Sequence, residues 1–94
     1  LEYAEAYYNR GNVYAKTGDL KQAIFDYTKS IEINSHYAAA YYNRAVACFL
    51  KQEYGKAWKD VRTAEALGYK INSRFLKELH KASGVGQLEV MYGK

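Results

Sequence analysis

The segment Tyr3-Ala4-Glu5-Ala6-Tyr7-Tyr8-Asn9-Arg10 recurs 34 residues later as Tyr37-Ala38-Ala39-Ala40-Tyr41-Tyr42-Asn43-Arg44, with seven of eight residues identical. The register persists beyond it. Laying 4–37 over 38–71 keeps Ala23 over Ala57 and Asp26 over Asp60, and pairs Asp19 with Glu53, Leu20 with Tyr54 and Ile33 with Leu67. A fixed period of roughly 20–50 residues marks a stacked-repeat architecture, in which each unit is too small to bury its apolar face alone and is covered by its neighbour. The period therefore dictates the fold. It also moves the functional expectation from a catalytic pocket toward a binding surface.

Within the period the apolar spacing is helical. Tyr7, Gly11 and Tyr14 fall at i, i+4 and i+7 and share one helix face, as do Leu20, Ala23, Ile24, Tyr27 and Ile31 on the next segment. Small residues at 11 and 23 allow two helix backbones to approach, with tyrosines filling the grooves beside them. The pattern predicts helices near 4–17, 20–33, 38–51 and 54–67. Gly68 follows the fourth where a left-handed cap is wanted. A fifth helix over 73–83 is marked by Phe75, Leu76, Leu79 and Ala82, with Asn72 or Ser73 as N-cap and Gly84 as stop. Lys77, Glu78 and Lys81 give it the polar back expected of a helix that covers a terminal unit. The expected organisation is an all-α solenoid over 1–84: units at 4–37 and 38–71, a capping helix at about 73–83, then a tail at 85–94.

The recurring residues resemble those of the tetratricopeptide repeat family. Its first helix carries an aromatic, a small residue four on and an aromatic three further. Tyr7, Gly11 and Tyr14 supply these, as do Tyr41, Ala45 and Cys48, with Cys48 replacing the second aromatic. Its second helix carries a small residue, an aromatic and a small residue at the same spacing. Ala23, Tyr27 and Ser30 fit, and Ala57, Val61 and Ala64 fit with Val61 replacing the aromatic. Gly18-Asp19 between the helices is typical, and Gln52-Glu53 is a weaker version. The family usually ends its second helix at Pro, but this chain has none; Ser35 and Tyr69 stand there. Ser35 can end one helix or cap the next. The missing Pro also leaves open one continuous helix over 20–51, which would let units swap between chains.

The resemblance implies a non-catalytic protein-interaction module that binds an extended peptide or a helix in a groove. The family's groove positions map to Tyr8, Asn9, Asn12, Tyr42, Asn43, Val46, Phe49 and Leu50, with Lys16 one turn further and Lys77 on the fifth helix. Asn side chains can hold a peptide backbone through donor and acceptor together. One subclass of the family grips acidic C-termini of heat-shock chaperones with two Asn and three basic residues. Asn12, Asn43 and Lys77 match it, whereas Tyr8 and Ser73 occupy the other two basic positions, so a full grip is not expected. A weaker acidic-peptide site is. The alternative is a structural self-assembly unit whose repeats stack or swap between chains through the open edge near Tyr3, Tyr7 and Ile24.

Charge gives the acidic-partner expectation limited support. Residues 1–47 carry five basic and five acidic side chains, and residues 48–94 carry nine and five, the whole net charge of +4. Lys51, Lys56, Lys59, Arg62, Lys70, Arg74, Lys77 and Lys81 surround the fourth and fifth helices. Electrostatic complementarity favours an acidic partner there, although a solvated helix face explains the same residues. Other classes fare worse. Most tyrosines sit at packing positions and cannot stack on bases, so nucleic acid is disfavoured. His36 and His80, both expected at the surface, have no Cys or carboxylate cluster at metal spacing. Gly84-Val85-Gly86 lacks phosphate-loop spacing. No cofactor is expected, no membrane span is evident and the cytoplasm is the expected compartment. The single Cys48 reads as a buried small hydrophobe, and Trp58 as a structural anchor facing the last helix.

Overall fold

The computed structural model describes residues 2–84; the tail 85–94 lies outside the described residues. Five helices follow in order: α1 (Glu2–Lys16), α2 (Leu20–Ile33), α3 (Ala38–Leu50), α4 (Tyr54–Ala66) and α5 (Ser73–Ser83). No strand forms among the described residues. The chain is an all-α helical repeat, with two helix-turn-helix units followed by a further helix.

Three helices end in the same closure. After α1, Gly18 takes φ 86°, its N–H donates to the Ala15 carbonyl at 3.1 Å, and the Asp19 N–H reaches back to the Tyr14 carbonyl at 2.9 Å. Gly68 does this after α4, at φ 93°. After α3 the residue in that place is Gln52, at φ 65°, with the same pair of bonds to Phe49 and Cys48. A left-handed residue at this position satisfies the orphan carbonyls of the last turn, and glycine does so without a Cβ clash. Asp19 Oδ1 accepts from the Gln22 N–H to start α2, and Asn72 Oδ1 accepts from the Phe75 N–H to start α5.

The junction between α2 and α3 corrects two expectations. Asn34 leaves helical backbone at φ −136°, so 20–51 is not one helix. The turn is shaped by Asn34, whose Oδ1 accepts from the His36 N–H at 3.1 Å, rather than by a Ser35 cap. Tyr37, the N-cap of α3, makes no side-chain capping bond.

The core explains the small-and-aromatic pattern. Gly11, Ala23 and Tyr27 are buried where α1 crosses α2, and a Cβ on Gly11 would lie 2.8 Å from the Tyr27 ring. The second unit holds Ala45 and Val61 at those places, both buried. A shorter side chain opposite makes room for the extra methyl. Two bidentate ion pairs brace the units. Arg10 bonds the buried Asp26 at 2.7 and 2.9 Å, and Arg44 bonds the buried Asp60 at 2.7 and 2.8 Å. Arg44 also reaches across to the Thr28 hydroxyl of α2 at 3.0 Å, tying the second unit to the first. Burial of Asp26 and Asp60 is tolerable because the guanidinium fork answers both carboxylate oxygens.

α5 packs through fully buried Leu79 beside Trp58, Val61 and Ile71. Trp58 is the expected anchor. Its indole N–H donates to the Ser83 hydroxyl at 3.0 Å, and the His80 ring stands edge-on to it at 4.7 Å. His80 is therefore half-buried against α4, whereas His36 is exposed. Cys48 is buried, and burial pushes its thiol up to about 11.

Candidate functional site

A cleft of about 470 Å³ opens between α1 and α3, with Leu20 and Tyr27 of α2 contributing to its lining. From α1 come Asn12, Ala15 and Lys16; from α3 come Tyr42, Asn43, Val46, Ala47 and Leu50. Helical spacing explains the set. Asn12, Ala15 and Lys16 stand at i, i+3 and i+4, as do Asn43, Val46 and Ala47, so each group shares one face.

At the cleft floor four polar side chains form one network. The Tyr27 hydroxyl donates to Asn12 Oδ1 at 2.7 Å. Asn43 Nδ2 donates to the same oxygen at 2.9 Å and to the Tyr8 hydroxyl at 3.1 Å. Tyr8 is wedged between the Tyr37 ring at 4.9 Å and the Tyr27 ring at 6.0 Å. Burial pushes the Tyr27 phenol up to about 12, and Tyr37 and Tyr42 are also raised by burial. Lys16 is exposed and makes no ion pair among the described residues. Leu50, 57% exposed, supplies an apolar wall open to solvent.

Of the residues expected at the groove, the structure brings Asn12, Lys16, Tyr42, Asn43, Val46 and Leu50 together in this cleft. Tyr8 sits behind it, bonded to Asn43. Asn9 is exposed on α1 outside the lining. Phe49 turns away and packs edge-on to Phe75 at 5.4 Å and against Tyr54 at 5.9 Å, in the contact between α3, α4 and α5. Lys77 is exposed on α5 and does not line the cleft. Tyr27 and Leu20 line it, although sequence reasoning placed them only in the core. Tyr42 also stacks on Tyr69 at 5.0 Å, which leads the cleft toward a second hollow lined by Tyr69, Lys70, Ile71, Asn72 and Ser73. Among the described residues no three His, Cys, Asp or Glu side chains gather as metal ligands. No helix among them is long and apolar enough to cross a membrane.

The tetratricopeptide repeat model matches residues 4–37. The fold agrees with a solved structure described as the first TPR of Spaghetti (RPAP3) bound to the HSP90 peptide SRMEEVD. Its TM-score is 0.71 at 26% identity, over 95% of this chain and 67% of that one. By the family-model match, residues 4–37 are a tetratricopeptide repeat. The mitochondrial import receptor subunit TOM70 of Rattus norvegicus is 33% identical over 86 residues, 86% of this chain and 13% of the receptor. The Homo sapiens protein of that name is also 33% identical over 86 residues, 14% of its length. The chain thus spans a small part of these curated relatives.

Proposed function

We propose that the chain is a non-catalytic interaction module, one unit over 1–84 with repeats at 4–37 and 38–71, that holds an extended peptide between α1 and α3. An acidic side chain of that peptide lies at Lys16. The observation that carries this reading is the cleft itself. Ala15, Leu20, Val46 and Leu50 give apolar area, Asn12 and Asn43 give oriented amides, and Lys16 gives an exposed cation with no ion pair among the described residues. Few polar groups placed on an apolar wall is the usual make-up of a ligand site. The peptide held by the solved neighbour supports the same use of the fold. A complete grip on an acidic terminus is not part of the proposal, because Tyr8 and Ser73 are uncharged and Lys77 lies off the cleft.

The test is titration of the 15N-labelled chain with SRMEEVD and with SRMQQVN, in which amides replace the three acidic side chains. The expected result is shifts at Asn12, Lys16, Val46 and Leu50, with tighter binding of the acidic peptide. That preference should weaken as salt rises and vanish in Lys16→Ala. Shifts confined to Lys56, Lys59, Arg74 and Lys81 would move the site to the basic half and refute the reading.

A second reading rests on the outer face of α1. Tyr3, Ala6, Tyr7 and Arg10 line a hollow there. Their copies are Tyr37, the N-cap of α3, and Ala40, Tyr41 and Arg44 on α3; Arg44 there reaches Thr28 of α2, and Ala40 is fully buried whereas Ala6 is exposed. Self-assembly through this face would cover it. Head-to-tail stacking on α4 is opposed, since Arg62 stands where α2 carries Thr28 and would meet Arg10, and α5 already packs on α4. A back-to-back α1 pair is the form that remains. Light-scattering mass over a hundredfold concentration range decides: constant mass near 10.8 kDa removes this reading.

A further inference from the structure

Asn12 and Asn43 are the same residue type on the same cleft, yet the network behind them gives them opposite polarity. The Tyr27 hydroxyl belongs to a residue 1% exposed, and its proton must find an acceptor. Asn12 Oδ1 at 2.7 Å takes it. The Asn12 amide is thereby fixed with its oxygen inward and its Nδ2 turned the other way. The group that Asn43 sets 2.9 Å from that oxygen must be its NH2, because two oxygens would repel. The remaining Nδ2 hydrogen of Asn43 goes to the Tyr8 hydroxyl. Both Asn43 hydrogens are held inside the protein, so only Oδ1 is left for a ligand. Asn12 keeps both Nδ2 hydrogens without a partner among the described residues.

Building on the peptide-cleft reading, we infer that this cleft selects an interior stretch of extended peptide and disfavours a free C-terminal carboxylate. In an extended strand the C=O and N–H of one residue point to the same edge. Asn12 Nδ2 answers that carbonyl and Asn43 Oδ1 answers that N–H. A carboxylate offers acceptors alone, and one of its oxygens would face Asn43 Oδ1 with no proton between them. Tyr27 and Tyr8 are the positioning residues. Tyr27 sets the direction of the pair, and Tyr8 holds the last hydrogen that Asn43 could otherwise offer an anion. Charge enters separately, through an acidic side chain of the bound segment at Lys16.

Two measurements test this on the intact chain. Without ligand, side-chain amide exchange is followed by NMR. The Asn43 NH2 hydrogens are expected to exchange more slowly than those of Asn12, and Tyr27→Phe to erase the difference. Fast Asn43 and protected Asn12 would overturn the inference. Next, SRMEEVD with its free terminus is compared with the same peptide extended by Gly-Ser-Gly-Ser. The extended peptide should bind more tightly by about tenfold, the scale of one hydrogen bond left unmade, and Tyr8→Phe should narrow that gap. Equal or tighter binding of the free acid overturns the inference and leaves the cleft reading standing. Binding of neither peptide removes both.

Discussion

Gly11→Ala tests whether the core has been read correctly. A Cβ there would stand 2.8 and 2.9 Å from two ring carbons of Tyr27 and 3.3 Å from the Ala23 carbonyl oxygen. Carbon pairs settle at about 3.5–4.0 Å, so something must move by more than half an ångström. The carbonyl is backbone, and the ring is buried and tethered by its hydroxyl to Asn12. Overpacking of this kind costs about 1–3 kcal/mol, against a gain of about 1 kcal/mol for replacing a helical glycine. With the ring held, the net loss should be about 1–2 kcal/mol, or a fall in Tm of about 5–15 °C for a domain of this size. The second unit supplies the control, since Ala45 and Val61 coexist there. Tyr27→Val alone should cost about 2–4 kcal/mol through lost volume and a lost hydrogen bond. The double variant should be less unstable than the two losses combined, by about 1 kcal/mol. Urea unfolding followed by circular dichroism of all four chains measures this coupling. A neutral Gly11→Ala, or additivity within about 0.5 kcal/mol, would refute the packing argument.

Three other consequences can be measured on the same footing. Gln52→Gly should stabilise by about 1 kcal/mol, because Gln52 holds a left-handed backbone that glycine adopts without strain; an unchanged midpoint in urea would mean no strain is stored there. Asp60→Asn should cost about 2 kcal/mol, since it strips the half-buried Arg44 fork of its charge partner, and a loss under about 1 kcal/mol would show that the pair is not needed. The third concerns alkaline pH. Tyr27 titrates at about 12 in the fold, raised by burial, against about 10 when unfolded. The unfolded chain therefore gives up its proton first, and this contribution is whole below pH 10 and lost as pH rises toward 12. Tyr27→Phe should show a shallower decline of stability over that window, with Tyr37 and Tyr42 accounting for part of what remains; an identical decline would refute the assignment.

Periodicity made the helices legible, because a 3.6-residue stripe and the Gly18 and Gly68 closures are local properties. The ion pairs were not read, although their signal was present. Arg10 and Arg44 recur together, as do Asp26 and Asp60, but the partners lie 16 residues apart on different helices. Which side of α3 would meet α5 was equally hidden. Leu50 and Phe49 are neighbours in sequence, and only the docking of Phe75 sends Phe49 away from the cleft. Asn43 was expected in the groove as an amide that holds a peptide backbone, with nothing to say what lies behind it. Its half-burial follows from Tyr8 and Asn12, whose reach depends on how α1 and α3 lie side by side.

The positions where the two copies disagree carry more functional information than those where they match. At the 34-residue offset, Gly11, Asn12 and Tyr27 become Ala45, Val46 and Val61. The three changes belong together. A tyrosine at 27 needs a glycine at 11 for its ring and an acceptor at 12 for its hydroxyl, whereas a valine at 61 tolerates an alanine and leaves nothing for an amide at 46 to bond. The first unit thereby gains a buried phenol that orients the cleft amides, and the second gains an apolar wall at Val46 and Leu50. A chain in which both units carried the valine set would keep the solenoid and lose the polar floor between α1 and α3. One carrying the tyrosine set twice would bury a second phenol beside α5, with its asparagine in place of Val46. The polarity of the cleft is a product of that asymmetry, written on a repeat whose remaining positions serve the stacking.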